Sequence, residues 1–308
     1  MKRYNYMVLA AVAVLLAGCS KDNEPVATDY TDTPIIVNTG VNELETRAGH
    51  DNDNLPEEFV LYLDQSGTGY DYNSVVVKRE NGVWNPAKKM LWQSSNPQAT
   101  VVAFTSNSEL NYSIDNWEIY IGKTNWDQTS AAKLTEWDLL YYKKMNVSPS
   151  GTNGDLYIQF EHVMSKLVIN YSFGTELGAN PVVNTCTIGN LPNRGSGNLY
   201  TAQYSSDKDH NGKISAFVDA TNNRVECILF PYNNNTSKKL TLKITFNVTA
   251  DGATTAKDYS CQIDSPLSGF TSGYRYTTNI RIGQDKVEPG EFTATPWEDD
   301  GTHNIVTQ

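Results

Sequence analysis

Apolar and polar residues alternate along much of the sequence, and the alternation changes parity within residues 156–173. Up to Phe160 the apolar residues stand at even positions, whereas from Leu167 onward they stand at odd positions. An alternation with a period of two is typical of a β-strand with one buried face. Because a shift of one residue turns every side chain to the opposite face, the chain must bulge, cross over or change sheets between His162 and Lys166. We interpret this stretch as the connection between two β domains of similar size.

Short strands separated by turns are predicted in both halves of the chain. In the first half they cover residues 59–63, 74–80, 83–84, 89–92, 99–105 and 117–121, with residues 137–142 as either a strand or a short helical turn. The pair Asn81-Gly82 predicts a two-residue hairpin turn. In the second half they cover residues 182–189, 213–218, 225–231, 240–248, 257–263 and 274–282, with residues 193–197 as a turn. Many short strands with frequent turns favour antiparallel β-sandwiches.

The polar N-terminal region contains one apolar segment, residues 34–41, which places three aliphatic side chains on one parity and predicts a strand. Arg47 follows it and is the only arginine between Arg3 and Arg79. The polar run 50–54 comes next. We expect the sequence on both sides of Arg47 to be exposed and mobile.

The first residues predict export. Lys2 and Arg3 precede an apolar run, residues 6–17, which is too short to span a bilayer and is typical of a secretory signal peptide. The run ends in Leu16-Ala17-Gly18-Cys19, which resembles a bacterial lipobox, in which the Cys19 thiol is diacylated and becomes the N-terminus. The alternative is an ordinary signal peptide that contains a cysteine. The acidic residues that follow resemble the surface-export signal of Bacteroidetes lipoproteins.

Composition limits the partners. The chain of 308 residues is long enough for two cores, and its net charge of −11 argues against nucleic acid and against electrostatic docking on an anionic membrane. Cys186, Cys227 and Cys261 remain beyond the signal peptide, and an odd number leaves at least one thiol unpaired. Buried, inert thiols are the favoured interpretation, and a disulfide between two of them stays open.

Catalytic motifs are missing from the sequence. It contains no nucleophile elbow, HExxH, P-loop or dinucleotide fingerprint, and its four histidines have no ligand spacing, so we predict no enzyme activity, no metal and no cofactor. We expect His162 to hydrogen-bond at the bend between the domains. Residues 207–212 match the first half of an EF-hand calcium loop, but Val218 stands where a bidentate glutamate is needed, and a polar hairpin turn has the same composition. The 18 tyrosines and 6 tryptophans leave carbohydrate binding open.

Several short stretches then occur in order over nearly the whole chain. They are the lipobox ending at Cys19, Glu45-Thr46-Arg47-Ala48, Phe160-Glu161-His162 with Ser165-Lys166-Leu167, Gly273-Tyr274-Arg275-Tyr276 running into Asn279-Ile280, and Pro296-Trp297 with Gly301. In this order they resemble the fimbrillin family of Bacteroidales, the protease-assembled type V pilins. The resemblance implies an all-β fold of two tandem transthyretin-like Greek-key β-sandwich domains.

The resemblance also implies a division of the chain. Residues 1–19 would be a lipoprotein signal peptide, 20–47 a leader with a removable strand, 48–157 an N-terminal β-sandwich, and 158–308 a C-terminal β-sandwich with a donor-strand tail. An arginine-specific surface protease would cut after Arg47, so that the mature chain begins at Ala48. A strand from another fimbrillin subunit would then fill the vacated groove, and residues 291–308 are the candidate donor, with the domain's own last strand as the alternative.

The implied function is that of a fimbrial subunit at the cell outer membrane and cell surface that mediates adhesion to a host or bacterial target. Whether such a subunit belongs to the stalk, the anchor or the tip stays open. The alternative is a monomeric surface lipoprotein that binds glycan and keeps its leader. A clean cut at Arg47 followed by polymerisation favours the first. Glycan affinity that is lost on mutation of exposed tryptophans favours the second.

Overall fold

The structure is a computed structural model that describes residues 29–41, 49–65, 69–94, 99–105, 111–113, 118–122, 125–150, 154–192, 194–198, 201, 203–206, 211–233, 240–266 and 269–297. Strands predominate throughout these ranges. Within the described ranges, no helix is both long and apolar enough to cross a bilayer.

Ten strands and one short helix precede residue 163 in the described ranges. They are β1 (Ile36–Val41), β2 (Glu58–Asp64), β3 (Tyr72–Glu80), β4 (Val83–Pro86), β5 (Ala99–Phe104), β6 (Asn111–Ser113), β7 (Glu118–Gly122), β8 (Asn125–Asp127), α1 (Ala131–Glu136), β9 (Leu140–Val147) and β10 (Asp155–His162).

The second half continues with strands and one 3₁₀ turn (Thr175–Leu177). The strands are β11 (Ser165–Phe173), β12 (Val182–Leu191), β13 (Arg194–Asn198), β14 (Gln203–Ser206), β15 (Gly212–Asp219), β16 (Arg224–Leu229), β17 (Tyr232–Asn233), β18 (Thr241–Thr249), β19 (Lys257–Asp264), β20 (Gly269–Phe270), β21 (Tyr274–Ile282), β22 (Val287–Pro289) and β23 (Thr293–Pro296).

The first sheet has the strand order β1-β10-β9-β5-β2-β3-β4 and encloses the first core. Alternate residues of β2 separate its two faces, as a pleated strand requires. Phe59 and Leu61 face the first core, whereas Val60 and Tyr62 belong to the second core, which also contains the buried residues of the second half. The ring of Phe59 meets those of Trp84 and Phe160 edge to face, with centroids 5.0 and 5.2 Å apart. Such contacts fix the inner face beyond the general effect of burial.

The second sheet has the order β19-β18-β12-β15-β16-β11-β21-β22, with β8 and β23 paired to its strands. Strand β18 shows the alternation that the sequence predicts, because Leu242, Ile244 and Phe246 are all fully buried. Strand β11 lies between β16, which is antiparallel to it, and β21, which is parallel. Strands β7 and β8 come from the first half but pair with β13 and β15 of the second half.

The parity change marks a change of sheet, which is one of the three predicted solutions. Strand β10 ends in the first sheet at His162, and β11 begins in the second sheet at Ser165. The two residues between them, Val163 and Met164, are both buried. Consecutive buried residues shift the parity by one, so the next strand can present its apolar residues to a different core. The all-β class and the tandem arrangement of two β domains are confirmed.

The predicted turn at residues 193–197 is wrong, because residues 194–198 form strand β13. This strand pairs with β7 on one side and β14 on the other. Glycines suit it because its backbone runs close to aromatic rings. A Cβ at Gly195 would lie 2.5 Å from the ring of Phe230, and a Cβ at Gly197 would collide with Tyr204. A glycine-rich sequence therefore marks close packing here and not a turn.

Candidate functional site: the leader strand and its groove

Strand β1 precedes Arg47 and lies at one edge of the first sheet, and we call it the leader strand. It pairs in parallel with β10 from Ile36 opposite Asp155 to Val41 opposite Phe160. In the described part of the chain this is the only ladder that β1 makes. A strand attached by one ladder can leave without breaking the pairing between the other strands of the sheet.

Three aliphatic side chains attach the leader segment to the first core. Ile35, Val37 and Val41 are 6%, 3% and 1% exposed, whereas the outward-facing Ile36 is 43% exposed. The burial of each such side chain contributes about 1.5–3 kcal/mol. Loss of the strand would therefore leave an apolar groove along the inner face of β10, which contributes Phe160 to the same cluster.

The residues just before the leader strand are bonded to residues 90–92. The Ile35 N–H donates to the Met90 carbonyl at 3.0 Å, and the Trp92 N–H donates to the Thr33 carbonyl at 3.0 Å. The predicted strand at residues 89–92 is thus wrong as a sheet strand, because the segment forms only an isolated bridge between Leu91 and Pro34. Its alternation reflects the burial of Met90 and Trp92 beside the leader.

Residues 49–54 form a hydrogen-bonded turn, which we call the clasp. The Asp51 carboxylate accepts the N–H groups of Asp53 and Asn54, at 2.9 and 2.5 Å. The Asn54 side chain donates to the Gly49 carbonyl at 2.8 Å. Short Asp and Asn side chains bond readily to nearby backbone in this way. The predicted exposure of this polar run is confirmed for Asn52, Asp53 and Asn54, but the run has defined internal bonds.

The clasp holds the end of the leader strand through one side chain. The Val41 N–H donates to Asn52 Oδ1 at 3.0 Å, and Asn52 Nδ2 donates to the Val41 carbonyl at 3.0 Å. An asparagine amide carries one acceptor and one donor group, as a peptide group does. Asn52 therefore pairs with Val41 much as a neighbouring strand would.

A buried polar pair lies where the two domains meet. His162 Nδ1 is 2.8 Å from Asp138 Oδ1, and both side chains are fully buried. Asp138 Oδ2 also accepts the His50 N–H at 2.7 Å, which ties the clasp to this pair. Burial alone would raise the pKa of Asp138, but His162 and the His50 N–H together hold that pKa below its ordinary value. The prediction that His162 hydrogen-bonds at the bend is confirmed.

Trp297, the last of the described residues, packs against this pair. Its ring stacks on His162 with centroids 3.9 Å apart and planes at 2°. Lys166 Nζ lies 5.7 Å from the centroid of the Trp297 ring and 2.8 Å from Glu226 Oε2, and the Lys166 and Glu226 side chains are each 1% exposed. Burial lowers the pKa of Lys166, an effect that Glu226 opposes. We call Asp138, His162, Lys166, Glu226 and Trp297 the junction cluster.

The candidate donor segment, residues 291–308, needs correction in its first part. Strand β23 pairs antiparallel with β21, with Tyr274 opposite Pro296, and Trp297 is fully buried. Residues 293–297 are therefore the domain's own last strand and its anchor, which is the alternative that the sequence left open. Residues 298–308 lie outside the described residues.

The cysteines have the environment that the sequence favours. Cys186 and Cys227 are buried, Cys261 is half-buried, and all three thiols are free. Burial raises the pKa of all three thiols, that of Cys261 to about 11, so they stay protonated at neutral pH.

No described group of three or more His, Cys, Asp and Glu side chains could hold a metal ion. Residues 207–210 of the calcium-like pattern lie outside the described residues, and Val218 is part of β15.

A protein-family model described as Fimbrillin-like matches residues 46–297, which is well over half of the chain. The chain belongs to the fimbrillin-like family. The match begins next to Arg47 and ends at Trp297, so it leaves out the leader strand and residues 298–308. The resemblance that the sequence motifs carried is thereby confirmed.

Solved structures share the fold of this fimbrillin-like chain at low sequence identity. A Bacteroides ovatus protein described as a candidate cell adhesion protein has a TM-score of 0.62 and 16% identity, over 87% of this chain and 98% of that one. A fimbrial protein from Bacteroides vulgatus has a TM-score of 0.53 and 14% identity, over 86% and 100% of the two chains. The tip fimbrial protein Mfa3 from Porphyromonas gingivalis, with a C-terminal truncation, has a TM-score of 0.50 and 13% identity, over 86% and 100%. A search of curated proteins found no match.

The predicted processing residues of this fimbrillin-like chain, Cys19, Arg47 and Ala48, lie outside the described residues. The structure instead brings together what flanks the predicted cut, because Val41 and Asn52 are in direct contact. Sequence reasoning did not find Asn52 or Asp138. The run of Asp and Asn after Gly49 was a turn signal that could have pointed to the clasp.

Proposed function

We propose that this chain is a structural subunit of cell-surface fimbriae, exported as a lipoprotein through Cys19 and matured by cleavage after Arg47. Membership of the fimbrillin-like family supports the subunit role. The observation that carries the assembly step is the leader strand, an edge strand with one described ladder and three aliphatic side chains in the first core. Before maturation the lipid holds the subunit at the outer membrane.

Cleavage after Arg47 by an arginine-specific surface protease separates two pieces that still touch. The leader keeps its ladder with β10, and the mature chain, which begins at Ala48, keeps the clasp. The leader is then held only by non-covalent contacts, so a competing strand can replace it. Cleavage and strand exchange are therefore two separate steps.

An empty groove is unfavourable, because it exposes aliphatic pockets and the unpaired backbone of β10. A strand from another fimbrillin subunit satisfies both by β-addition. The contact is head to tail, so its repetition builds an open filament and not a closed ring. Adhesion to a host or bacterial surface is the proposed role of the filament.

Limited digestion of the lipid-free protein with an arginine-specific protease tests this function. We expect one early cut that gives Ala48 as the new N-terminus, read by N-terminal sequencing, and ladder-like oligomers by native electrophoresis when a second fimbrial subunit is present. The Arg47→Lys variant is the matched control and should stay uncut and monomeric. Resistance at Arg47 with cutting at Arg79 or later would show that the leader is not a removable strand.

Glycan binding is the second candidate function, and one pocket favours it. A pocket of about 440 Å³ lies between β1 and β4, and Arg79, Trp84, Asp155 and Tyr157 are among its lining residues. The Tyr157 side chain is 53% exposed, so its ring is available for stacking on a sugar. Asn38 and Thr39 of the leader strand also line the pocket, so this function requires a retained leader. Binding of the uncut protein to an oligosaccharide array, lost in Tyr157→Ala, tests it.

A further inference from the structure

We propose that Asn52 is an end clamp for whichever strand occupies the groove, and that it helps to select a strand with glycine just before the clamped residue. The natural occupant after maturation is then a strand of a different protein chain. This inference rests on the proposed function, because it concerns the strand that replaces the leader.

The clamp contacts backbone and not side chain. Both bonds from Asn52 go to the N–H and C=O of Val41, each at 3.0 Å. These groups are present in every residue except proline, which lacks the N–H. An incoming strand can therefore use the same clamp whatever side chain it carries there, and the Val41 side chain, 1% exposed, still enters the first core.

Selection comes from the position before the clamp. Gly40 is buried under side chains of the outer face. A Cβ at this position would collide with the Tyr157 hydroxyl, lie 2.8 Å from Gln159 Oε1 and lie 3.3 Å from Asn52 Oδ1. A side chain here must push aside the ends of the Tyr157 and Gln159 side chains of β10, and Asn52 Oδ1 of the clasp must give way by a few tenths of an ångström. Glycine is the residue that lets the clamp close without these shifts.

These contacts define a pattern for the occupant. The leader places branched aliphatic residues at 35, 37 and 41 and glycine at 40. No other stretch of the 308-residue sequence has valine, isoleucine or leucine at the three corresponding positions around a glycine. Residues 298–308 contain one glycine, Gly301, which is followed by Thr302. The fitting partner is therefore a second fimbrial chain that carries such a strand.

Peptide exchange tests the clamp in the lipid-free protein. Residues 42–48 are replaced by the recognition sequence of a site-specific protease, so that the cut does not depend on Arg47. After cutting, a fluorescent peptide of residues 29–41 is bound, and its affinity and dissociation rate are measured by anisotropy. We expect Asn52→Ala to weaken binding about tenfold, because two hydrogen bonds are lost. The control Asn85→Ala, an exposed asparagine bonded locally to the Val83 carbonyl, should bind as wild type does.

Two modified peptides distinguish a direct bond between Asn52 and the bound strand from a general effect of Asn52 on the structure. One carries an ester in place of the amide that supplies the N–H of residue 41, and the other has valine in place of Gly40. The ester should weaken binding to wild type but not to Asn52→Ala, and the valine peptide should weaken binding to wild type about tenfold. An equal ester effect in both proteins would overturn the clamp. Equal binding of the valine peptide would overturn the selection for glycine.

The choice of partner has its own test. A peptide of residues 298–308 should not displace the leader peptide, and displacement would overturn the assignment of the occupant to a different chain. A cut leader that an excess of free leader peptide does not displace would overturn strand replacement. If these peptide results hold while unmodified Arg47 resists the arginine-specific protease, the proposed maturation fails and the clamp stands.

Discussion

The strands nearest the two ends of the described chain are attached in opposite ways. The leader strand β1 is held by one parallel ladder and by three aliphatic side chains spread along a groove. Strand β23 has a four-residue ladder with β21 and is followed by Trp297, which stacks on His162 within the junction cluster. Both strands reach the same place, because the clasp that follows β1 is bonded to Asp138.

This difference indicates which of the two strands can be replaced by a strand of another chain. A groove with aliphatic pockets for positions 35, 37 and 41 accepts any strand of the same pattern, since pleated backbone and branched side chains are interchangeable between chains. The Trp297 site, by contrast, fits one particular side chain, because the indole stacks on His162 and lies near the buried Lys166–Glu226 pair. We infer that β1 is the exchangeable strand and that β23 stays in its own domain.

Trp297→Ala should have the largest effect on stability. The variant loses a fully buried indole and its stacking on His162, which typically costs about 3–5 kcal/mol in free energy of unfolding. Urea unfolding monitored by circular dichroism measures this. Thr293→Ala is the control at an exposed position on the same strand, where the hydroxyl donates to the Thr277 carbonyl at 3.3 Å, and it should cost no more than about 1 kcal/mol. If the two variants were equally stable, β23 would not be anchored by Trp297.

Lys166→Met should come next, because it leaves Glu226 charged and buried without its ammonium partner. The loss of one member of a buried ion pair costs about 3–5 kcal/mol, and Arg224, 2.9 Å from Glu226 Oε1, should reduce the cost toward the lower value. The double variant Lys166→Met with Glu226→Leu should recover most of the loss, since no unpaired carboxylate remains. A double variant less stable than Lys166→Met would show that Glu226 stabilises the junction even without Lys166, through Arg224.

Asp138→Asn should have a smaller effect, and one that depends on pH. The pKa of Asp138 is lower in the folded chain than its ordinary value, so its contribution is fully present above about pH 4 and is lost as the pH falls through the lowered value. The variant loses a charged acceptor for His162 and His50, at a cost of about 1.5–3 kcal/mol at neutral pH. The difference from wild type in urea unfolding should narrow below pH 4. A constant difference between pH 7 and pH 3 would contradict this account.

Local patterns predicted much of this fold from sequence. Alternation found β2, β3, β18 and the leader strand, and the parity change located the passage from one core to the other. The hairpin at Asn81-Gly82 followed from its composition, and both residues have positive φ, 52° and 80°. These features depend on neighbours in sequence, which the pattern contains.

The remaining features depend on distant partners. The junction cluster brings together Asp138, His162 and Trp297, and no periodic pattern in the sequence indicates that these residues are in contact. The glycines of β13 predicted a turn, but the segment is a strand because it pairs with β7, which comes from the other half of the chain. The clasp is bonded locally, but its contact with Val41 spans 11 residues and depends on where the leader strand lies. Of the candidate site, the sequence therefore predicted the leader strand but not what holds its end.

The smallest predicted effect compares two neighbours on the leader strand. Val37→Ala removes two buried methyl groups and should cost about 1.5 kcal/mol, whereas Ile36→Ala, at a position 43% exposed, should change stability by no more than about 0.5 kcal/mol. Urea unfolding of the uncut chain measures both. In the chain cut within residues 42–48, the same pair should differ about tenfold in the rate of leader release. Equal release rates would mean that the ladder with β10, and not the aliphatic pockets, retains the leader, and the groove would then accept strands with little regard to their sequence.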